Sequence, residues 1–206
     1  MKFLAMTVVC ALAVMMTSDA GAAEGSYAGV RGGVNMADIT GDDAEGLDTR
    51  NRFMGGAFYG IDWEDFGVRI DGLYVQKGAE GEFAAPDGDV HETIIRLDYL
   101  ELPVLFMVGF PTGDEFAVNL FAGPTFGFNL KAEAEIPEHG ETVEMDVETF
   151  ELGAAIGGGF EYILSSMSFV ADLRYAMGGT SISDEFDGKN SGVGVTVGVK
   201  FPLGAR

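Results

Sequence analysis

A strict alternation of apolar with small or polar residues limits what this chain can become. It is clearest late in the sequence, where Val193, Val195, Val197, Val199 and Phe201 are separated by Gly194, Thr196, Gly198 and Lys200. Side chains two apart share one face of a strand, whereas a helix would repeat every 3.6 residues, so the pattern describes a β-strand with one greasy face. Glycine points the same way. There are 31 glycines in 206 residues, about twice the usual ~7%, and each one inside a helix would cost about 1 kcal/mol relative to alanine.

Seven further segments alternate in the same way. Near 26–36 the apolar side is Ala28, Val30, Val34 and Met36, opposite Tyr27, Arg31, Gly33 and Asn35. Near 52–63 it is Phe53, Ala57, Tyr59, Ile61 and Trp63, and a return strand over 66–78 sets Phe66, Val68, Ile70 and Tyr74 against Arg69, Asp71 and Lys77. Segments at 93–108, 116–131, 148–162 and 167–177 complete the set, and Pro103 in the first of these predicts a bulge or irregularity because proline removes a ladder donor. Three connections are short, at 64–65, 109–115 and 163–166. Four are long and acidic, at 37–51, 79–92, 132–147 and 178–190. Alternating long and short connections in a meander fall at opposite ends, so the expectation is an all-β, eight-stranded antiparallel up-and-down barrel with a short-turn end and a long-loop end.

The first residues read differently. Met1-Lys2, an apolar stretch from Phe3 to Met16 and an Ala20-Gly21-Ala22 end make a secretory signal peptide over 1–22, leaving 23–206 as the barrel domain. Cys10, the single cysteine, would leave with that peptide. With 33 acidic and 12 basic side chains and a net charge of −21, the surface repels phosphodiester chains, so nucleic acid is not an expected partner.

Alternation alone does not say whether the greasy face points inward or outward, and three features favour outward, toward outer-membrane lipid, in a transmembrane barrel. The opposite face carries glycine and both signs of charge, Arg31, Arg69, Arg174 and Lys200 against Asp71, Glu101, Glu151, Glu161 and Asp172, which can plug and neutralise a narrow lumen. Aromatic residues collect toward the short-turn end, Tyr27, Trp63, Phe66, Phe110, Phe116, Tyr162, Phe169 and Phe201, as an interfacial girdle requires. The strands also reach the ~9–11 residues of a tilted crossing. A soluble binder with an apolar cavity is the opposite orientation.

Several short motifs resemble the bacterial outer-membrane beta-barrel domain family, whose members are often labelled porin-family or PorT-like proteins. They are Gly32-Gly33-Val34-Asn35-Met36, Gly72-Leu73-Tyr74-Val75-Gln76-Lys77-Gly78, Tyr99-Leu100-Glu101-Leu102-Pro103-Val104-Leu105 and Ala122-Gly123-Pro124, in that order along the chain. The resemblance implies an outer-membrane location in a diderm bacterium and a barrel architecture.

Candidate chemistry is sparse, and no catalytic residue, cofactor or metal ligand is assigned. His91 and His139 fall in expected loops without metal-ligand spacing, and together with Ser181, Ser183 and Ser191 they are the groups a rim-located lipid-modifying enzyme would need. Acidic runs such as Asp42-Asp43-Ala44-Glu45 and Asp184-Glu185-Phe186-Asp187-Gly188 offer oxygen ligands to divalent cations but match no EF-hand. Gly157-Gly158-Gly159 has no following helix and reads as room for close backbone approach. The sequence therefore predicts a monomeric, non-enzymatic barrel whose acidic loops meet ions, ligands or other cells, with a narrow passive pore as the alternative.

Overall fold

A computed structural model of the chain describes residues 25–40, 47–84, 90–136, 141–145, 147–182 and 189–203. The expected signal peptide, His139, Ser183 and the acids Asp42, Asp43, Glu45, Asp87, Glu138, Asp146, Asp184, Glu185 and Asp187 lie outside these residues.

Eight long strands form the wall: β1 (Ser26–Thr40), β3 (Arg50–Trp63), β4 (Phe66–Lys77), β6 (Val90–Pro111), β7 (Phe116–Ile136), β9 (Phe150–Ile163), β10 (Ser168–Gly178) and β11 (Lys189–Pro202). Each pairs antiparallel with its chain neighbours. β1 then pairs with β11 from Tyr27↔Pro202 to Thr40↔Lys189, which closes the sheet on itself. Closure leaves no wall edge, the condition for a sheet in hydrocarbon. Three short strands, β2 (Leu47–Asp48), β5 (Glu80–Ala84) and β8 (Glu141–Glu144), add to the long-loop end.

The greasy face points outward. Val195, Val197, Ile70, Leu120, Ile156 and Leu173 are exposed on the wall, and Val197 is 64% exposed. From Val193 to Phe201 the apolar row covers roughly 26 Å along the strand. A tilt of about 40° brings that to roughly 20 Å, the order of the ~25 Å apolar band of a membrane barrel.

The long strands outrun the sequence reading. β6 begins at Val90 rather than 93, and β7 continues to Ile136, so parts of two expected loops are strand. His91 lies in β6, paired with Phe83 of β5, not in a loop. Gly78 permits this, because its φ of +110 turns the chain from β4 into β5 where any Cβ would meet the Ile95 carbonyl oxygen at 2.1 Å. Pro103 interrupts the ladder to β4, which skips from Val104 to Glu101 without changing register. The register shift occurs elsewhere, at Asp98/Tyr99, where Leu130 of β7 is the extra residue.

An arginine placed in the outward row should be expelled by lipid. Val197→Arg is expected to cost about 2–4 kcal/mol in denaturant titrations of protein folded into vesicles, and an unchanged midpoint would mean that this row does not face hydrocarbon.

Candidate functional site

Alternation sends every second side chain into a lumen too narrow for anything but side chains, and that lumen is the candidate site. It is built in layers. Nearest the short turns, Lys200 Nζ of β11 lies 2.9 Å from Glu161 Oε2 and 3.4 Å from Asp62 Oδ2. The same ammonium sits 4.2 Å from the centroid of the Tyr27 ring. These groups border an open vestibule of about 400 Å³, also lined by Asn119, Met107 and Ser168.

The next layer joins Arg31 of β1, Arg69 and Asp71 of β4, and Asp172 of β10. Arg69 Nη2 contacts Asp172 Oδ2 at 2.9 Å, and Arg31 pairs with the same carboxylate and with Asp71 at 3.6 Å. Arg69 Nε lies 2.8 Å from Asp71 Oδ1 but off the hydrogen-bonding line, so that contact is Coulombic. Phe58 and Phe121 flank the layer, 4.3 Å from Arg31 Cζ and 4.9 Å from Arg69 Cζ. Both guanidinium planes are thereby covered by ring faces, which attract cations.

A second buried quartet lies one step further from the turns. Lys77 Nζ donates to Glu101 Oε1 at 2.7 Å and to Glu151. Arg174 Nη2 donates to Glu101 Oε2 at 2.7 Å. Asn190 Nδ2 donates to the other oxygen of Glu151, and the Tyr99 ring lies 4.6 Å from Lys77 Nζ. Each quartet holds two cations and two anions. Charge neutrality within a layer is what lets eight ionised groups stay away from water, because an uncompensated one would cost several kcal/mol.

Above the second quartet the lumen becomes apolar. Ile39, Ala79, Ile95, Leu97, Tyr99, Ala132 and Ile182 form a buried cluster, with Met145 and Val147 packed against it. The Glu148 N–H donates to the Ile182 carbonyl at 2.8 Å, tying two of the long connections together over the mouth.

All the expected lumen residues, Arg31, Arg69, Asp71, Glu101, Glu151, Glu161, Asp172 and Arg174, lie on the inner face, but in separate layers rather than one network. Lys77 completes the second quartet and Asn190 joins it as a neutral donor; the sequence reading set Lys77 in the polar row of its strand without placing it in the lumen network, and put Asn190 in a loop. Trp63, Phe66, Phe116, Phe169 and Phe201 are exposed on the outer wall at the short-turn end, and Tyr162 stacks on Phe116 with centroids 5.1 Å apart. Tyr27 departs from that expectation. Its odd position sets it inward with Arg31, only 3% exposed, over Gly60, where a Cβ would come within 2.3 Å of the ring. Phe58 over Gly29 and Phe121 over Gly157 repeat the arrangement, each ring paired with the glycine opposite it on the next strand. Close approach at Gly157 is thus part of lumen packing. Among the described residues, no group of three His, Cys, Asp or Glu side chains is arranged to hold a metal ion.

The fold and this filled lumen define a class, the small outer-membrane barrel. The outer membrane protein beta-barrel domain family matches residues 21–187, and the chain belongs to that family. Among solved structures, the fold is similar to Neisserial surface protein A, with a TM-score of 0.56 and 15% identity over 88% of this chain and 99% of that one. OprG from Pseudomonas aeruginosa aligns over 86% of this chain and 95% of its own, at 13% identity and a TM-score of 0.49. Ail of Yersinia pestis, solved in complex with the heparin analogue sucrose octasulfate, aligns over 85% of this chain and 99% of its own, at 19% identity and a TM-score of 0.44. No curated protein matches the chain by sequence.

Removing one charge from a neutral quartet should be far worse than removing a pair. Arg31→Met is expected to lose about 3–5 kcal/mol, while Arg31→Met combined with Asp172→Asn restores neutrality and recovers part of that loss. Denaturant midpoints of the two single variants and the double variant measure the coupling, and strict additivity would show that the layer does not act as a unit.

Proposed function

We propose that this chain is a structural or surface-interaction protein of the outer membrane, non-enzymatic and monomeric, whose long acidic connections face outward and meet ions, ligands or other cells. Residues 1–22 serve as a cleaved signal peptide, and the short turns face the periplasm. The observation that carries the reading is the filled lumen: two neutral charge layers and an apolar cap occupy the path between the short-turn vestibule and the long-loop end, which supports the loop end as the working surface. The acids there suit divalent cations as well as basic partner surfaces.

A narrow pore for ions or small solutes is the second reading. It is favoured by the vestibule of about 400 Å³ at the short-turn mouth and a small cavity of about 10 Å³ beside Lys77, Glu101 and Arg174. Nε and Nη2 of Arg31 and Nε and Nη1 of Arg174 are buried without an acceptor among the described residues, so water in the lumen would have groups to bind.

Two measurements separate these readings. In planar bilayers the refolded protein should give no reproducible discrete conductance, and regular channels would overturn the plugged lumen. On intact cells, a membrane-impermeant maleimide should label Val143→Cys at the loop end and spare Asp114→Cys in the turn after β6. The reverse labelling would invert the topology.

A further inference from the structure

The lumen holds three ionic layers, and only two of them balance. Arg31 and Arg69 face Asp71 and Asp172, and Lys77 and Arg174 face Glu101 and Glu151, two cations to two anions each time. In the layer nearest the short turns, Lys200 faces both Glu161 and Asp62. Among the described residues, no other Lys or Arg pairs with either of these carboxylates. The layer also differs in its contact with water. The side chains of Lys200, Glu161 and Asp62 are 19%, 13% and 40% exposed, whereas none in the quartets exceeds 8%. An excess anion would be costly deep in the wall. At a wet mouth it is tolerated and exerts a standing attraction on cations.

This layer opens on the vestibule of about 400 Å³, whose lining adds the turn acids Glu64 and Asp65 and no base besides Lys200. Four acids thus share one cavity with one lysine. Acidity alone selects no ligand, but the Lys200 ammonium shows what the mouth accommodates. It is held by two carboxylates and by the face of Tyr27, whose centroid is 4.2 Å away, and an aromatic face favours an organic cation. Ser26, 2% exposed, and Asn119 line the same cavity, and Ser26 Oγ and Asn119 Oδ1 have no partner among the described residues. An ammonium brings three donors to such acceptors. Met107, Phe66 and Phe110 add apolar lining that suits methylene groups and gives no ligand to a metal ion, which takes oxygen.

We propose that the short-turn vestibule binds a short-chain alkyl diammonium compound, one ammonium taken by Asp62 and Glu161 beside Lys200 and the other by Glu64 and Asp65. Lys200 competes for the inner pair and so limits the affinity. Under the topology proposed above the ligand comes from the periplasm, while the binding itself is independent of which end faces which compartment.

Calorimetric titration of the refolded protein in detergent micelles with 1,5-diaminopentane provides the test. Saturable one-site binding is expected, weakened about tenfold or more in the Asp62→Asn/Glu161→Gln variant, the order expected when hydrogen bonds to charged groups are lost. Asp62→Asn alone, at the most exposed of the three groups, should lose part of the affinity while keeping the heat-modifiable folded band. Lys200→Met removes the competing ammonium and should bind more tightly than wild type. Absence of saturable binding by wild type, equal binding by wild type and both acid variants, or binding by Lys200→Met no tighter than by wild type would overturn the site. So would displacement by an equal concentration of magnesium ions, which would reassign the mouth to inorganic cations. Binding that emerged only in Arg206→Gln would make the chain's own terminal arginine the occupant and overturn it equally.

Discussion

An unpaired backbone amide in hydrocarbon is the constraint from which this structure follows. Every N–H in the membrane band must find a carbonyl inside the sheet, and with eight strands the solution is the β1–β11 seam, in register from Tyr27 to Thr40. A ring of eight strands leaves an interior about as wide as the side chains that fill it. The interior must therefore be filled, and filling it from strands that alternate large with small residues produces the ring-over-glycine contacts of Tyr27 with Gly60, Phe58 with Gly29 and Phe121 with Gly157. Ionised groups can share that space only if they cancel. The two quartets do so at their own levels, without borrowing charge along the axis.

At the loop end the same strands cross from lipid into water and the logic inverts. Below the crossing, Leu100, Leu102, Val104 and Phe106 of β6 point outward while Glu101 points in. Above it, Ile95 and Leu97 point in while Arg96 and Asp98 point out. The switch occurs at the adjacent apolar pair Tyr99-Leu100 in β6, and again at Met36-Ala37 in β1. In β7 the extra residue Leu130 reaches the same end by a shift of register. The protein is thus a membrane barrel below this level and a small water-facing barrel with an apolar core above it. That core, centred on Leu97 and Tyr99, is the cap.

The strand number, the outward face and the paired signs of charge were all legible in the sequence, because a period of two survives even in one isolated segment such as 193–201. What escaped was whatever depends on the partner strand. Tyr27 reads as an interfacial aromatic by its place near a turn, yet Gly60 on the next strand opens a seat for it inside. Lys77 and Asn190 belong to inward rows, but only the register puts them beside Glu151. The apolar run Ile94-Ile95 resembles the start of a membrane strand, and its role in the cap emerges only once β6 is seen to pass beyond the lipid edge. Long acidic connections disguise such extensions, since charges on the outer face of a wet strand look like loop residues.

The distribution of charge then separates the two ends. The two quartets inside are each balanced at their own level and so contribute little to the field outside. The excess of acid falls on the connections and turns, while the exterior bases are gathered at the upper edge of the lipid band. A wall of this kind tolerates little change: its outer face must stay apolar and its inner face is committed to cancelling charges and seating rings. The connections beyond the cap carry none of those obligations, because the Ile39–Ile182 cluster closes the barrel beneath them. Under the proposed surface role, sequence change has one place to act without disturbing insertion or closure, and that place bears most of the chain's uncompensated charge.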